Sequence, residues 1–227
     1  MPTTKKINKN FFRKWTADMA YVLGFFAADG YITVNKRGGQ FWCFQINDKD
    51  LLENIKKVIQ SDHKIGIRLR KKTNEKTSYR LQVGSNEMCD DLRQLGFSKN
   101  KTKSLAIPHI PKKYFSHFVR GYFDGDGNIW MGKIHKERKT QHIVLQLAFT
   151  SCSISFLKQL QTRLHSFNLI GGCIYAPKKR QFFRLQYSVY NALKLYDLMY
   201  NDNIKGFPGL FLNRKKEIFE EFKKLRP

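Results

Sequence analysis

Two aspartates define the chemistry open to this 227-residue chain. Asp29 closes the phrase VLGFFAADG at residues 22–30, and Asp126 closes VRGYFDGDG at residues 119–127. The two acids stand 97 positions apart (126 − 29 = 97) at the same place in a repeated phrase, so each half of the chain supplies one carboxylate. Two carboxylates brought close together repel, and a divalent cation is their natural ligand. Hard oxygen donors suit Mg²⁺, with Mn²⁺ as a substitute, and two of them leave coordination positions for water and phosphate.

The acids need elements that bring them together. Gly24 and Ala28 are four residues apart, as are Gly121 and Gly125, so each phrase predicts a helix with one face free of bulky side chains. Two such faces can pack backbone to backbone, as small-xxx-small patterns allow. The terminal Gly30 and Gly127 predict helix ends that leave with positive φ.

With these residues on the page, LGFFAADGYI and VRGYFDGDGNI resemble the two motifs of a single-chain LAGLIDADG homing endonuclease. The first departs from the family pattern with Ala27 where the second keeps Asp124; the closing acid is present in both. The resemblance covers nearly the whole chain. It implies an α+β fold made of a pseudo-twofold repeat of α-β-β-α-β-β-α halves. Two curved antiparallel sheets then form a DNA-binding saddle around a central two-helix interface. The implied division is an N-terminal half at 1–96, a linker at 97–111 and a C-terminal half at 112–227.

Composition points to nucleic acid independently. Lys and Arg number 42 against 18 Asp and Glu, for a net charge of +24, and phosphate backbones are the usual target of such an excess. With 41% hydrophobic residues the chain can build a core, so it is no disordered basic tail. No stretch approaches the ~20 apolar residues of a membrane span, and no basic amphipathic helix offers a surface anchor. The opening MPTTKKINKNFFRKW lacks the apolar run of a secretory signal. Four widely spaced cysteines without CxxC predict reduced thiols, and with them an intracellular rather than secreted protein.

Each half reads as two hairpins interleaved with amphipathic helices. Hairpin strands are expected at 31–36 with 40–47 and at 64–72 with 77–84, then at 128–134 with 142–149 and at 172–177 with 182–189. Helices are expected at 48–60, 86–95, 153–167 and 191–201, with a last one from about 212. Alternation in 64–72 sets Ile65, Ile67 and Leu69 toward the core and Lys64, Arg68, Arg70 and Lys72 away from it. Arg80 and Gln82 in one half, and Arg184 and Gln186 in the other, share that outward face. Gln45, Gln146 and the Lys178, Lys179, Arg180 turn are further candidates for DNA contact. Arg and Gln make bidentate contacts to guanine and adenine in the major groove, although a solvated sheet face carries the same residue types.

Phosphodiester hydrolysis needs an attacking water, a cation at the phosphoryl oxygen and stabilisation of the leaving 3′ oxygen. The resemblance assigns catalysis and metal binding to Asp29 and Asp126. It adds Lys101 and Lys215 as basic residues near the scissile phosphates, with Lys99, Lys103, Arg214 and Lys216 as neighbouring alternatives. Gln45 can meet a base or organise water, and Asp124 can tune the site. The expected partner is double-stranded DNA, with a long asymmetric target read by a monomer. Two other readings share the fold: a maturase that binds intron RNA, and an inactive DNA-binding regulator. The Met start, with no flanking splicing blocks, favours an intron-encoded or free-standing gene.

Overall fold

The first motif forms helix α1 (Ala17–Asp29) in the computed structural model, which describes residues 5–69, 77–98, 101–134, 137, 142–201 and 210–225. Thr16 caps α1 by accepting the Met19 N–H at 3.0 Å. The rest of the half follows as β1 (Gly30–Val34), β2 (Gln40–Ile46), α2 (Lys49–Val58), β3 (Ile65–Arg68), β4 (Ser78–Gly84) and α3 (Asn86–Gln94). A short α4 (Lys101–Ser104) and a 3-10 turn (Lys112–Tyr114) lead to α5 (Phe115–Asp126), the second motif. Then come β5 (Gly127–Ile134), β6 (His142–Ser151), α6 (Ile154–His165), β7 (Cys173–Tyr175), β8 (Phe183–Ser188), α7 (Val189–Tyr200) and α8 (Asn213–Leu225). Each half therefore runs α-β-β-α-β-β-α, and α4 and α8 are additions.

Each half contributes a four-stranded antiparallel sheet, in the orders β1-β2-β4-β3 and β5-β6-β8-β7. The registers match: Gly30 faces Phe44, which faces Leu81, while Gly127 faces Phe149, which faces Leu185. The pseudo-twofold organisation of the two sheets follows from that correspondence. Period two buries Trp42, Phe44, Leu81 and Val83 under the first sheet, and Leu145, Leu147, Phe149, Leu185 and Tyr187 under the second. One core runs through both halves and includes nearly all of α1 and the apolar side of α5.

The segment joining the halves is held against α6. Ser153 Oγ donates to the Leu105 carbonyl at 2.8 Å while accepting the Phe156 N–H as the α6 cap. Arg163 donates to the Pro108 and Ile110 carbonyls, and its guanidinium lies 4.4 Å from the Phe115 ring centroid. Leu105 and Ile110 are buried.

Two expectations are corrected here. Ile67 is 62% exposed and Leu69 73% exposed, so neither reaches the core. Strand β3 is a four-residue edge strand whose one extensive neighbour among the described elements is β4, and Leu69 lies beyond its last residue. The alternation is present, but among the described elements no helix packs extensively against β3. The helix-ending glycines have ordinary negative φ, −79° at Gly30 and −85° at Gly127. They are required for space: a Cβ would collide with the Phe26 ring at Gly30, and with the Phe123 ring and carbonyl at Gly127.

Candidate active site and nucleic-acid face

Helices α1 and α5 form the most extensive helix pair among the described elements, and glycine makes it possible. A Cβ at Gly24 would strike the Phe118 carbonyl; at Gly121 it would strike the Tyr21 carbonyl and the Phe25 nitrogen. Nearer the helix ends, Gly125 packs on Ala28, and the Asp29 Oδ2 lies 3.1 Å from where a Gly125 Cβ would stand. The C-terminal ends of both helices therefore meet, and Asp29 and Asp126, each half-buried, share one end of the pair. A cleft of ≈ 290 Å³ opens beside Asp126, walled by Ala27, Ala28, Thr102 and Thr150.

Among the described residues, no group of three or more His, Cys, Asp or Glu side chains could hold a metal ion. Asp29 and Asp126 are the last residues of α1 and α5. Two hard oxygen donors fit a cation that keeps most of its shell for water and phosphate.

Lys215 is 5% exposed in the first turn of α8. Its ammonium donates to the carbonyls of Phe123 (2.5 Å), Asp124 (2.9 Å) and Gly127 (2.6 Å). Those three bonds match the three donors an ammonium carries, so Lys215 caps the negative end of α5. Burial pushes its pKa down to about 8, against the opposing pull of Asp124, Asp29 and Asp126. Lys101 begins α4, and its side chain lies outside the described residues.

Asp124 is buried and its carboxylate accepts the Tyr21 hydroxyl at 2.6 Å and the Leu212 N–H at 3.0 Å. Burial raises its pKa to about 6, although the Tyr21 hydrogen bond and nearby Lys215 and Arg120 pull the other way. Arg120, also buried, donates to the Met199 and Leu210 carbonyls. These contacts fix the approach to α8, and with it Lys215. Sequence reasoning missed Arg120 and Tyr21. Laying the two motifs over each other at the 97-residue offset shows the signal: His117, Arg120 and Asp124 stand where the first motif has Ala20, Leu23 and Ala27.

The outward faces of the two sheets carry matching polar pairs. Arg80 precedes Leu81 and Arg184 precedes Leu185, so the two arginines hold equivalent register positions, as do Gln82 and Gln186. Arg80 lies opposite Gln45 and beside the Tyr31 ring, with its guanidinium 5.9 Å from the centroid; Arg184 lies opposite Thr150. The Nε atoms of both arginines are buried without a hydrogen-bond partner among the described residues. Gln45 makes one long contact, 3.4 Å, to Ser78 Oγ. Gln186 accepts the Tyr175 hydroxyl at 2.8 Å, and Gln146 pairs across from Trp130 and Ser188.

Lys64 and Arg68 are exposed along the β3 edge. Lys178, Lys179 and Arg180 are exposed at the β7–β8 turn. Arg70 and Lys72 lie outside the described residues. Trp130, 44% exposed on the same face, went unremarked although period two in β5 places it there.

A central pair of glycine-faced helices with one terminal acid each, flanked by two four-stranded sheets, defines the LAGLIDADG class of fold. Residues 16–95 match the family model described as LAGLIDADG-like domain. The fold of the chain is similar to that of I-LtrWI, a LAGLIDADG homing endonuclease bound to target DNA (14% identity, TM-score 0.59, 96% of this chain and 90% of that one). It is also similar to I-AabMI, a LAGLIDADG meganuclease bound to uncleaved DNA (15%, 0.59, 90% and 88%). I-SmaMI, bound to uncleaved target in the presence of calcium ions, gives 14%, 0.60, 93% and 90%. In sequence, the chain is 27% identical over 204 residues to a probable translation initiation factor IF-2 of Thermococcus kodakarensis, covering 79% of this chain. The match spans 15% of that protein's length.

Proposed function

We propose that the protein is a site-specific endonuclease that hydrolyses both strands of a long, asymmetric double-stranded DNA target with the help of a divalent cation, acting as a monomer. The observation that carries this reading is the meeting of Asp29 and Asp126 at one end of the α1–α5 pair, between two sheets with matching Arg–Gln positions. DNA-bound relatives of the same fold support it, and the calcium-containing one supports a divalent cation.

Asp29 and Asp126 would hold the cation. When bound, it offsets charge on the phosphoryl oxygen and lowers the pKa of an attacking water. Lys215 holds the α5 terminus in place and compensates its dipole, which fixes the direction in which Asp126 leaves the helix. Gly125 keeps the space beside the Asp29 carboxylate clear. Arg80 with Gln82, and Arg184 with Gln186, would read bases in successive half-sites, while the exposed lysines set phosphate register. In this reading residues 1–96 serve one half-site, 112–227 the other, and 97–111 join them.

The test is incubation with a randomised duplex library in Mg²⁺ and in EDTA. Mg²⁺-dependent double-strand cuts at one long sequence are expected. Tight binding without cutting in Mg²⁺ or Mn²⁺ would move the reading to an RNA-binding maturase or a regulator.

A further inference from the structure

The two sheets match in residue type at Arg80 and Arg184 and at Gln82 and Gln186, but they differ in which of these side chains is held. In the first half it is the arginine. Cys43 lies opposite Tyr31 on β1 and opposite Gln82 on β4, so its side chain shares the outward face with theirs and with Arg80. It is nevertheless fully buried, under Tyr31 and Arg80. Arg80 Nη2 donates to the Cys43 Sγ at 3.7 Å, and the guanidinium carbon stands 5.9 Å from the Tyr31 ring centroid. Burial pushes the Cys43 thiol up in pKa while hydrogen bonds to Arg80 and Tyr31 pull it down, so thiol, phenol and guanidinium form one cluster. Gln82, two residues along β4, makes no side-chain hydrogen bond among the described residues.

In the second half it is the glutamine. The Tyr175 hydroxyl on β7 donates to Gln186 Oε1 at 2.8 Å. That bond fixes the amide and leaves the Nε2 donors and the second Oε1 lone pair for another partner. Arg184 has no such cluster, because the places of Tyr31 and Cys43 are taken by Asn128 and Ala148. Its guanidinium lies 5.4 Å from the Phe182 ring, and a ring face sets the plane of a guanidinium without aiming its N–H groups. The exchange is reciprocal: Gly66 stands opposite Arg80 where Tyr175 stands opposite Arg184, so β3 offers Gln82 no hydroxyl at that place.

A long side chain that is ordered only on binding gives up about two- to tenfold in affinity, and one already aimed does not. An aimed donor set also cannot swing to satisfy a different base, which adds discrimination to affinity. Guanine offers an arginine fork two acceptors, and adenine offers a glutamine amide one acceptor and one donor.

We infer that base discrimination is divided unequally and crosswise between the halves: Arg80, aimed by Cys43 and Tyr31, reads a guanine in the first half-site, and Gln186, aimed by Tyr175, reads an adenine in the second. Gln82 and Arg184 discriminate less than their counterparts. Cys43, Tyr31 and Tyr175 are positioning residues that act through the side chain each one holds. The inference rests on the reading of the protein as a site-specific DNA-binding enzyme.

The experiment selects for binding among duplexes varied one base at a time around the recovered target. Arg80→Ala, Gln82→Ala, Arg184→Ala and Gln186→Ala assign a position to each residue. In the wild type, guanine at the Arg80 position and adenine at the Gln186 position should be preferred roughly tenfold or more, and the other two positions should tolerate substitution better. Tyr31→Phe and Cys43→Ala should lower the preference severalfold at the Arg80 position alone, and Tyr175→Phe at the Gln186 position alone. A merely structural role would weaken binding evenly at all positions, and that result overturns the inference. Profiles that the three variants leave unmoved, or equal stringency at the Arg80 and Arg184 positions, overturn it too while leaving the endonuclease reading intact. A wild type that selects no duplex sequence overturns that reading, and this inference with it.

Discussion

The Tyr21 hydroxyl, on the first motif helix, donates a 2.6 Å hydrogen bond to the Asp124 carboxylate on the second. The same carboxylate oxygen accepts the Leu212 N–H just before α8, so one buried acid ties both motif helices to the segment that delivers Lys215. Tyr21→Phe should lower stability by about 1.5–3 kcal/mol, the usual worth of a hydrogen bond to a charged group. Asp124→Ala should cost about 3–5 kcal/mol, because it also strands the Leu212 N–H and nearby cations. Urea unfolding at neutral pH checks both, and wild-type stability in Asp124→Ala would remove the tie.

The buried imidazole of His117 makes stability depend on acid. Burial, with nearby Arg120, depresses its pKa from the ordinary 6.5 to about 4. Its contribution is therefore complete above pH 6.5 and is lost as pH falls toward 4, on the order of 3 kcal/mol in all. Asp124 works in the opposite sense: its pKa is raised from 3.8 to about 6, so the proton-linked part of its contribution is complete below pH 3.8 and is lost as pH rises through 6, while its hydrogen bonds to Tyr21 and Leu212 remain. Comparing wild type with His117→Leu isolates the histidine. Melting temperatures across this range should fall less on acidification in the variant; parallel curves would contradict the assignment.

Close approach of α1 and α5 depends on absent side chains. Gly24→Ala and Gly121→Ala place a methyl inside the partner helix's backbone envelope and should each cost at least the ~1–3 kcal/mol typical of overpacking. Gly66→Ala, whose Cβ would meet its nearest atom at 3.8 Å, is the control and should be near neutral. Thermal melts of the three variants separate steric packing from a general dislike of alanine.

Arg80 and Arg184 occupy equivalent places on the two sheets, so they should act on different half-sites. Replacing either with Ala should weaken binding by about 1–3 kcal/mol and relax the preference at one position in its own half-site. Selection from a target library mutated one base at a time reads this out. Loss spread evenly over both half-sites would mark the arginines as phosphate contacts.

The parts of the molecule governed by period were legible in the sequence. The doubled phrase located α1 and α5, and alternation in 78–84 and 183–188 identified the buried faces carrying Leu81, Val83, Leu185 and Tyr187. The same rule failed at Ile67 and Leu69, because alternation states which residues share a face and not whether a helix covers it. Gly30 and Gly127 were placed correctly at helix ends, but the reason is contact with Phe26 and Phe123. Lys215 looked like one cation among many. Its role as a cap depends on three carbonyls about 90 residues away in sequence, which no local pattern encodes.

The central claim is that Asp29 and Asp126 each supply one acid to a shared cleavage site. The most direct measurement compares DNA binding and strand-resolved cleavage for wild type, Asp29→Asn and Asp126→Asn on the target recovered from the library. The account predicts affinity close to wild type and double-strand cleavage reduced roughly a hundredfold or more in each variant. Undiminished double-strand cleavage by both single variants would contradict it.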